Sequence, residues 1–300
     1  MAVEKTYEKN EKKAVENDDH KSVDKTVDKT VVKTAEKDFE KIATEILGGK
    51  KYSALDRATV ERICSELAPR YPKRSDAIKA IKKELHIIYG AFLSNDCHAK
   101  GESLIRGYAG SDMHADKDFA ANLMRLHLST AERAGSAGEI CAFAGEHIGP
   151  DDILFDIGCG FNPFSLPFYP NRPEAYTAFD ICARTVDLIN LYFEPLGSAY
   201  RARQLDAISG APIGEAQVIL MYKLFPLLER QRKGRMYDLL STLDYRAAIV
   251  SFPTKSASGR EKGMESFYSG MFKRGLPEGL TIADAAAFEN EIFFVVIHSS

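Results

Sequence analysis

Short apolar strands alternate with helical stretches from residue 153 onward, which predicts an α/β protein: a doubly wound, mostly parallel sheet preceded by a small helical domain. Two further observations orient the sheet. Asp156-Ile-Gly-Cys-Gly160 stands directly after the first strand, where glycines two apart let the backbone approach a ligand closely. Asp156, Asp180 and Asp206 then fall at the ends of three successive strands, beyond which such sheets bind ligands.

The first 38 residues are almost all Lys, Glu, Asp, Thr and Val, with Val23-Asp-Lys-Thr, Val27-Asp-Lys-Thr and Val31-Val-Lys-Thr repeating at a period of four. Four does not match 3.6, so the valines drift around a helix and cannot anchor a core; a disordered or frayed helical tail over 1–38 is expected. From Phe39 the spacing changes. Phe39, Ile42, Ile46 and Leu47 share a helical face that Gly48-Gly49 ends; a second helix fits Ala58 to Leu67 and a third Ser75 to Leu93, the latter with Lys79, Lys82 and Lys83 opposite its apolar side. Residues 39–110 thus read as a helical domain. Asp118 to Leu128 reads as one more helix, opening the larger domain over 111–300.

Strands are expected at Ile153 to Ile157, Tyr176 to Ile181, Tyr200 to Leu205, Ala216 to Tyr222 and Ala247 to Phe252, with a last one at Glu291 to His298.

Charge is unevenly placed. The net charge is −3, but residues 41–110 hold 13 Lys or Arg against 8 Asp or Glu, whereas the first forty hold 9 against 11. The tail therefore masks a basic module, the footprint of a polyanionic partner. The N-terminus is charged, and no run approaches the roughly 18 apolar residues of a membrane span, so a cytoplasmic chain with neither signal peptide nor membrane helix is expected. Cys64, Cys97, Cys141, Cys159 and Cys182 are odd in number and scattered, so free thiols are expected, with no disulfide and no metal site.

The glycine loop lacks the third glycine of a dinucleotide fingerprint and has Pro163 in its place, which disfavours a pyrophosphate and leaves room for an amino-acid-bearing nucleoside such as S-adenosylmethionine. Asp180 can accept both ribose hydroxyls, and Asp206 the adenine amino group.

Three segments, Asp156-Ile-Gly-Cys-Gly-Phe-Asn-Pro163, His127-Leu-Ser-Thr-Ala-Glu-Arg133 and residues 250–268, together resemble the aminoglycoside-resistance 16S rRNA (guanine-1405, N7) methyltransferases over roughly residues 40–298. The resemblance implies a Rossmann-like S-adenosylmethionine-dependent methyltransferase domain. It implies cofactor contacts from Phe92 in Tyr89-Gly-Ala-Phe92, from His127, Leu128, Ser129, Thr130, Ala131, Glu132 and Arg133, and from Asp156, Gly158, Gly160, Asp180, Asp206, Ala207, Tyr222 and Gln231. Arg133 suits the cofactor's carboxylate, which a guanidinium grips bidentately. Two departures stand out: relatives usually carry alanine where this chain has Gly158, and a basic or polar residue where it has Ala131.

Guanine N7 carries a lone pair, so no general base is expected; paired N7 lies in the deep major groove of A-form RNA, so a flipped base is. By resemblance Arg230 and Met264 support that base, Lys255, Arg260 and Lys262 hold the distorted backbone, and Lys51, Lys82, His86 and Lys100 dock on rRNA. The implied partner is 16S rRNA in the assembled 30S subunit, bound by a monomer, with neither DNA nor membrane involved. Two other readings compete: a methyltransferase for another decoding-site base, against which the Ser251 to Met264 match argues, and a non-catalytic ribosome-binding factor, against which Arg133 and the three aspartates argue.

Overall fold

The computed structural model describes residues 29–94, 96–254 and 264–299. Contacts divide the chain after Asp38, and Phe39–Ser300 form one compact unit. The first helix, α1 (Lys29–Leu47), ends at Gly48-Gly49 as its spacing predicts. Helix α2 (Arg57–Leu67) starts where Asp56 accepts from the Thr59 amide at 2.8 Å, an N-cap. Helix α3 (Arg74–Leu85) is shorter than its apolar spacing suggests. A π turn, His86–Gly90, follows it, closed by the Ala91 amide donating to the His86 carbonyl at 2.6 Å.

Helices α4 (Cys97–Arg106), α5 (Lys117–Met124), the single turn α6 (Leu128–Ala131) and α7 (Ala137–Gly145) lead into the sheet. Helix α5 stops four residues before Leu128, because His127 is extended and its neighbour's amide donates to the Phe92 carbonyl at 2.9 Å. The strands are β1 (Ile153–Ile157), β2 (Ala175–Asp180), β3 (Tyr200–Gln204), β4 (Val218–Tyr222), β5 (Ala247–Pro253), β6 (Leu280–Phe288) and β7 (Glu291–His298). Helix α8 (Ala183–Phe193) joins β2 to β3, α9 (Phe225–Gln231) and α10 (Arg235–Thr242) join β4 to β5, and α11 (Met264–Gly275) precedes β6.

The sheet order is β3-β2-β1-β4-β5-β7-β6, with β1 to β5 parallel and β7 antiparallel between β5 and β6. The chain reverses direction across the sheet between β1 and β4, which opens a crevice at their carboxyl ends. Strand alternation sends Leu154, Tyr176, Leu220 and Ile249 into one core and Phe155, Ile157, Ile219, Met221 and Val250 into the other. The N-terminal helices bury Ile42, Ile46, Val60, Ile63, Ile81 and Leu85 with Cys182 in a third core. Their link to the sheet is main-chain: the Asp56 amide donates to Ile181 at 2.9 Å and the Ala183 amide to Ala54 at 2.8 Å. All five cysteines are buried free thiols. Among the described residues no helix is long and apolar enough to cross a membrane.

Candidate cofactor cleft

The carboxyl ends of β1, β2, β3 and β4 border a cleft of about 910 Å³, open mouth included, within the size range of small-molecule sites. The loop after β1 forms its floor. Gly158 and Gly160 adopt φ of +69° and +51°, and the Gly158 and Cys159 amides donate to the Phe179 carbonyl at 2.9 and 3.0 Å. A Cβ on Gly158 would lie 2.7 Å from Leu224 Cδ1, and one on Gly160 3.0 Å from His127 Cε1, so the left-handed conformation favours glycine at both and a side chain at 158 would have to displace the Leu224 tip.

Two of the three aspartates face the cleft. Asp180 accepts from the Cys182 amide at 2.9 Å and the Gly160 amide at 3.1 Å; burial pushes its carboxyl up to about 6. Asp206 accepts from the Ile208 amide at 2.9 Å and from Ser209 Oγ and Arg62 Nε at 3.1 Å each. Asp156 does not line the cleft. It shares the face of Leu154 and lies buried beneath the floor, where Asn162 Nδ2 donates to it at 2.9 Å and the Tyr176 hydroxyl at 2.7 Å. Burial holds it too near 6.

The segment His127 to Arg133 divides likewise. His127 and Ser129 line the cleft, whereas Leu128, Thr130, Ala131, Glu132 and Arg133 do not. His127 stacks on Phe161 and Phe92 with centroids 5.1 and 6.1 Å away. Burial first, and then the Arg133 charge, lower its pKa to about 3, so the ring is neutral, and its Nδ1 is buried with no hydrogen-bond partner. Thr130 Oγ1 closes the turn by donating to the Met124 carbonyl at 2.7 Å. Leu128 is half exposed.

Arg133 sits behind the wall, 4% exposed, with its guanidinium 5.1 Å from the Tyr222 ring centre. It donates to Asn162 Oδ1 at 2.8 Å and stands 3.4 Å from Glu291 Oε2. A buried guanidinium needs a counter-charge, and here the protein's own Glu291, itself 1% exposed, supplies it.

Phe92, Ala207, Tyr222 and Gln231, for which the resemblance implies cofactor contacts, line the cleft. Sequence reasoning passed over Thr59, Ile88 and Tyr89 from the N-terminal helices, and Cys159, Lys223 and Leu224 from the sheet side. The π turn directs Ile88 and Tyr89 inward; the Tyr89 hydroxyl lies 3.0 Å from Cys182 Sγ. Tyr89 stands within the motif that supplied Phe92, and that was the available signal. Lys223 adopts a left-handed φ of +54°, with Nζ 2.5 Å from Glu132 and 3.3 Å from Glu291.

The expected RNA-facing residues lie elsewhere. Lys51, Lys82, His86 and Lys100 are exposed, with Lys51 Nζ 3.2 Å from His86 Nδ1. Arg230, on α9, forms a two-pronged ion pair with Glu84 of α3 at 2.8 and 2.7 Å. Met264 opens α11; Lys255, Arg260 and Lys262 lie outside the described residues.

Residues 48–295 match the model of the ribosomal RNA methyltransferase (FmrO) family. The chain belongs to that family. Among similar proteins, the 16S rRNA (guanine(1405)-N(7))-methyltransferase of Proteus mirabilis is 30% identical over 272 residues, 86% of this chain and 96% of that one. The enzyme of the same description from Frankia casuarinae is 31% identical over 265 residues, covering 86% and 93%. The crystal structure of the 16S rRNA methyltransferase RmtF in complex with S-adenosyl-L-homocysteine superposes with a TM-score of 0.79 at 33% identity, covering 87% of this chain and 98% of that one. The RmtB methylase structure gives 0.73 at 27% identity, covering 87% and 98%. The matches thus span most of this rRNA methyltransferase and almost the whole length of each of these relatives.

Proposed function

We propose that this rRNA methyltransferase transfers the methyl group of S-adenosylmethionine to N7 of guanine 1405 in 16S rRNA of the assembled 30S subunit. It acts in the cytoplasm as a monomer and protects the decoding site from 4,6-disubstituted deoxystreptamine aminoglycosides. The observation that carries the reading is the pair Asp180 and Asp206, at successive strand ends in one cleft floored by two left-handed glycines. Relatives with the guanine-1405 activity, matched along almost their full length, supply the target.

The residues fit the cofactor. Asp180, ionised at neutral pH, holds two backbone amides on one side and keeps acceptor capacity for ribose hydroxyls. Asp206 and Gln231 stand at the adenine end, and the glycine backbone leaves the floor bare of side chains. When bound, the sulfonium offers a methyl group that guanine N7 attacks in line, breaking the carbon–sulfur bond while the positive charge passes to the base and no proton moves. His127 accordingly serves as a neutral wall and not as a base. The protein's contribution is alignment and exclusion of water, which can supply most of the acceleration. Arg230 and Met264 hold the flipped guanine, and Lys51, Lys82, His86 and Lys100 on residues 39–110, the docking part, bind rRNA phosphates. Lys255, Arg260 and Lys262 hold the distorted strand.

The test is primer extension, after borohydride and aniline cleavage, on 16S rRNA from 30S subunits incubated with enzyme and S-adenosylmethionine. A new stop at guanine 1405 is expected. A stop at another guanine, or none, refutes the assignment.

A further inference from the structure

Helix α2 belongs to the N-terminal helices, yet it reaches the cofactor cleft. Thr59 lines the cleft, and Arg62, three residues on and on the same helix face, spans two of its rims. Arg62 Nε donates to Asp206 Oδ2 at 3.1 Å and Nη2 donates to Gln231 Oε1 at 2.8 Å, while Nη1 is steadied by Glu66 at 3.2 Å. This is no loose surface pair: the Arg62 and Asp206 side chains are only 16% and 8% exposed. Both partners line the cleft and Arg62 itself does not, so any effect on a ligand passes through them.

We propose that Arg62 is a positioning residue for the cofactor: its fork aligns Asp206 and Gln231 at the adenine end, and its span from α2 to β3 and α9 couples cleft occupancy to the seating of the N-terminal helices. The proposal rests on the reading of this cleft as the S-adenosylmethionine site. A guanidinium suits the role because its donors are fixed in one plane, and a lysine cannot serve both acceptors from one stem. Helix α9 carries a second link one residue earlier, where Arg230 pairs with Glu84 of α3. Seated helices thus hold the adenine end in its binding geometry, and by linkage a ligand that fixes Asp206 and Gln231 favours seated helices.

Calorimetric titration of the full chain with S-adenosylhomocysteine tests this, with thermal unfolding of the same variants in its absence. Arg62→Ala is expected to weaken binding by roughly tenfold or more, and Arg62→Lys by less. The loss should be less than additive with that of Gln231→Leu, since one acts through the other. A dissociation constant within twofold of wild type in Arg62→Ala overturns the proposal whatever the unfolding temperature does, as does full additivity. If Arg62→Ala does not fold, Arg62→Lys decides: unchanged affinity overturns the proposal, and weaker affinity at an unchanged unfolding temperature supports it. On 30S subunits, S-adenosylhomocysteine is expected to tighten binding of the wild type and to lose that effect in the variant. A wild type that ignores 30S subunits would count against the rRNA assignment and leave the titration result standing.

Discussion

Asp180 gives the cleft a pH dependence whose sign follows from its surroundings. Burial, followed by the charge of Asp156, raises the carboxyl from 3.8 to about 6, and the amides of Cys182 and Gly160 only partly offset this. A raised carboxyl favours its neutral form in the empty fold, so the stability it contributes is present at low pH and is lost as pH rises between about 3.8 and 6. Ligand binding runs the opposite way, because two ribose hydroxyls need the ionised acceptor. S-adenosylhomocysteine affinity is therefore expected to be flat above pH 6 and to weaken below it by up to about tenfold per pH unit, the limit for one proton. Among the other groups lining the cleft, burial pushes Tyr89 and Cys159 up and His127 down, away from this range. Asp156 also titrates near 6, so the assay needs the variant Asp180→Asn, measured by calorimetry from pH 5 to 8. It should bind more weakly at pH 7.5, by about 1–3 kcal/mol, because one carboxylate oxygen becomes an amide NH2 that cannot accept from a hydroxyl, and its pH profile should be flat. A wild-type slope surviving in Asp180→Asn would refute the argument and move the titration to Asp156.

Gly158→Ala is expected to lower stability by about 1–3 kcal/mol in thermal unfolding, from the left-handed φ and the collision with Leu224; Leu224→Ala in the same chain should restore part of it. Lys51→Ala with Lys82→Ala should weaken 30S binding and flatten its salt dependence while leaving S-adenosylhomocysteine binding unchanged. Arg230→Ala should abolish protection against gentamicin-type drugs with 30S affinity within about tenfold; protection at the wild-type level would leave Arg230 as the mere partner of Glu84.

Strands β1, β2, β4 and β5 were legible as short, largely apolar runs, and β3, Tyr200-Arg-Ala-Arg-Gln204, as an alternating one that buries Tyr200 and Ala202. Strand β6 was not: Leu280-Thr-Ile-Ala-Asp-Ala-Ala-Ala-Phe288 is alanine-rich, exposes alternate residues at the sheet edge and is fixed by pairing with β7 across a bulge. The truncation of α3 was equally hidden, since Ile88 and Tyr89 continue a helical spacing that the π turn interrupts only in three dimensions. At the site, Asp180 and Asp206, which reach the cleft from strand ends, could be read from position, whereas Tyr222 came only from the resemblance. Arg133 and Asp156 carried the right residue types but face inward, because strand alternation and a buried counter-charge on Glu291, 158 residues beyond Arg133, decide their direction. Arg62 had no local signal, as its partners lie 144 and 169 residues away.

The distribution of charge around the cleft suits a reaction in which a cation changes place without any net change in charge. Lys223 lines the cleft and Arg133 stands behind its wall, and either one unpaired would oppose a positively charged ligand in it. Both are matched: Arg133 by Glu291, and Lys223 by Glu132 and Glu291. The buried Glu291 carboxylate, which both cations share, is further held by the Ser251 hydroxyl. The cleft lining includes the aromatic side chains Phe92, Tyr89 and Tyr222 together with a neutral imidazole, groups that tolerate a positive charge. A site that must neither create nor cancel charge has little use for an acid or a base; it needs the two reactants held in line, and here the rigid parts, a glycine floor, a π turn and the Arg62 fork, all bear on position.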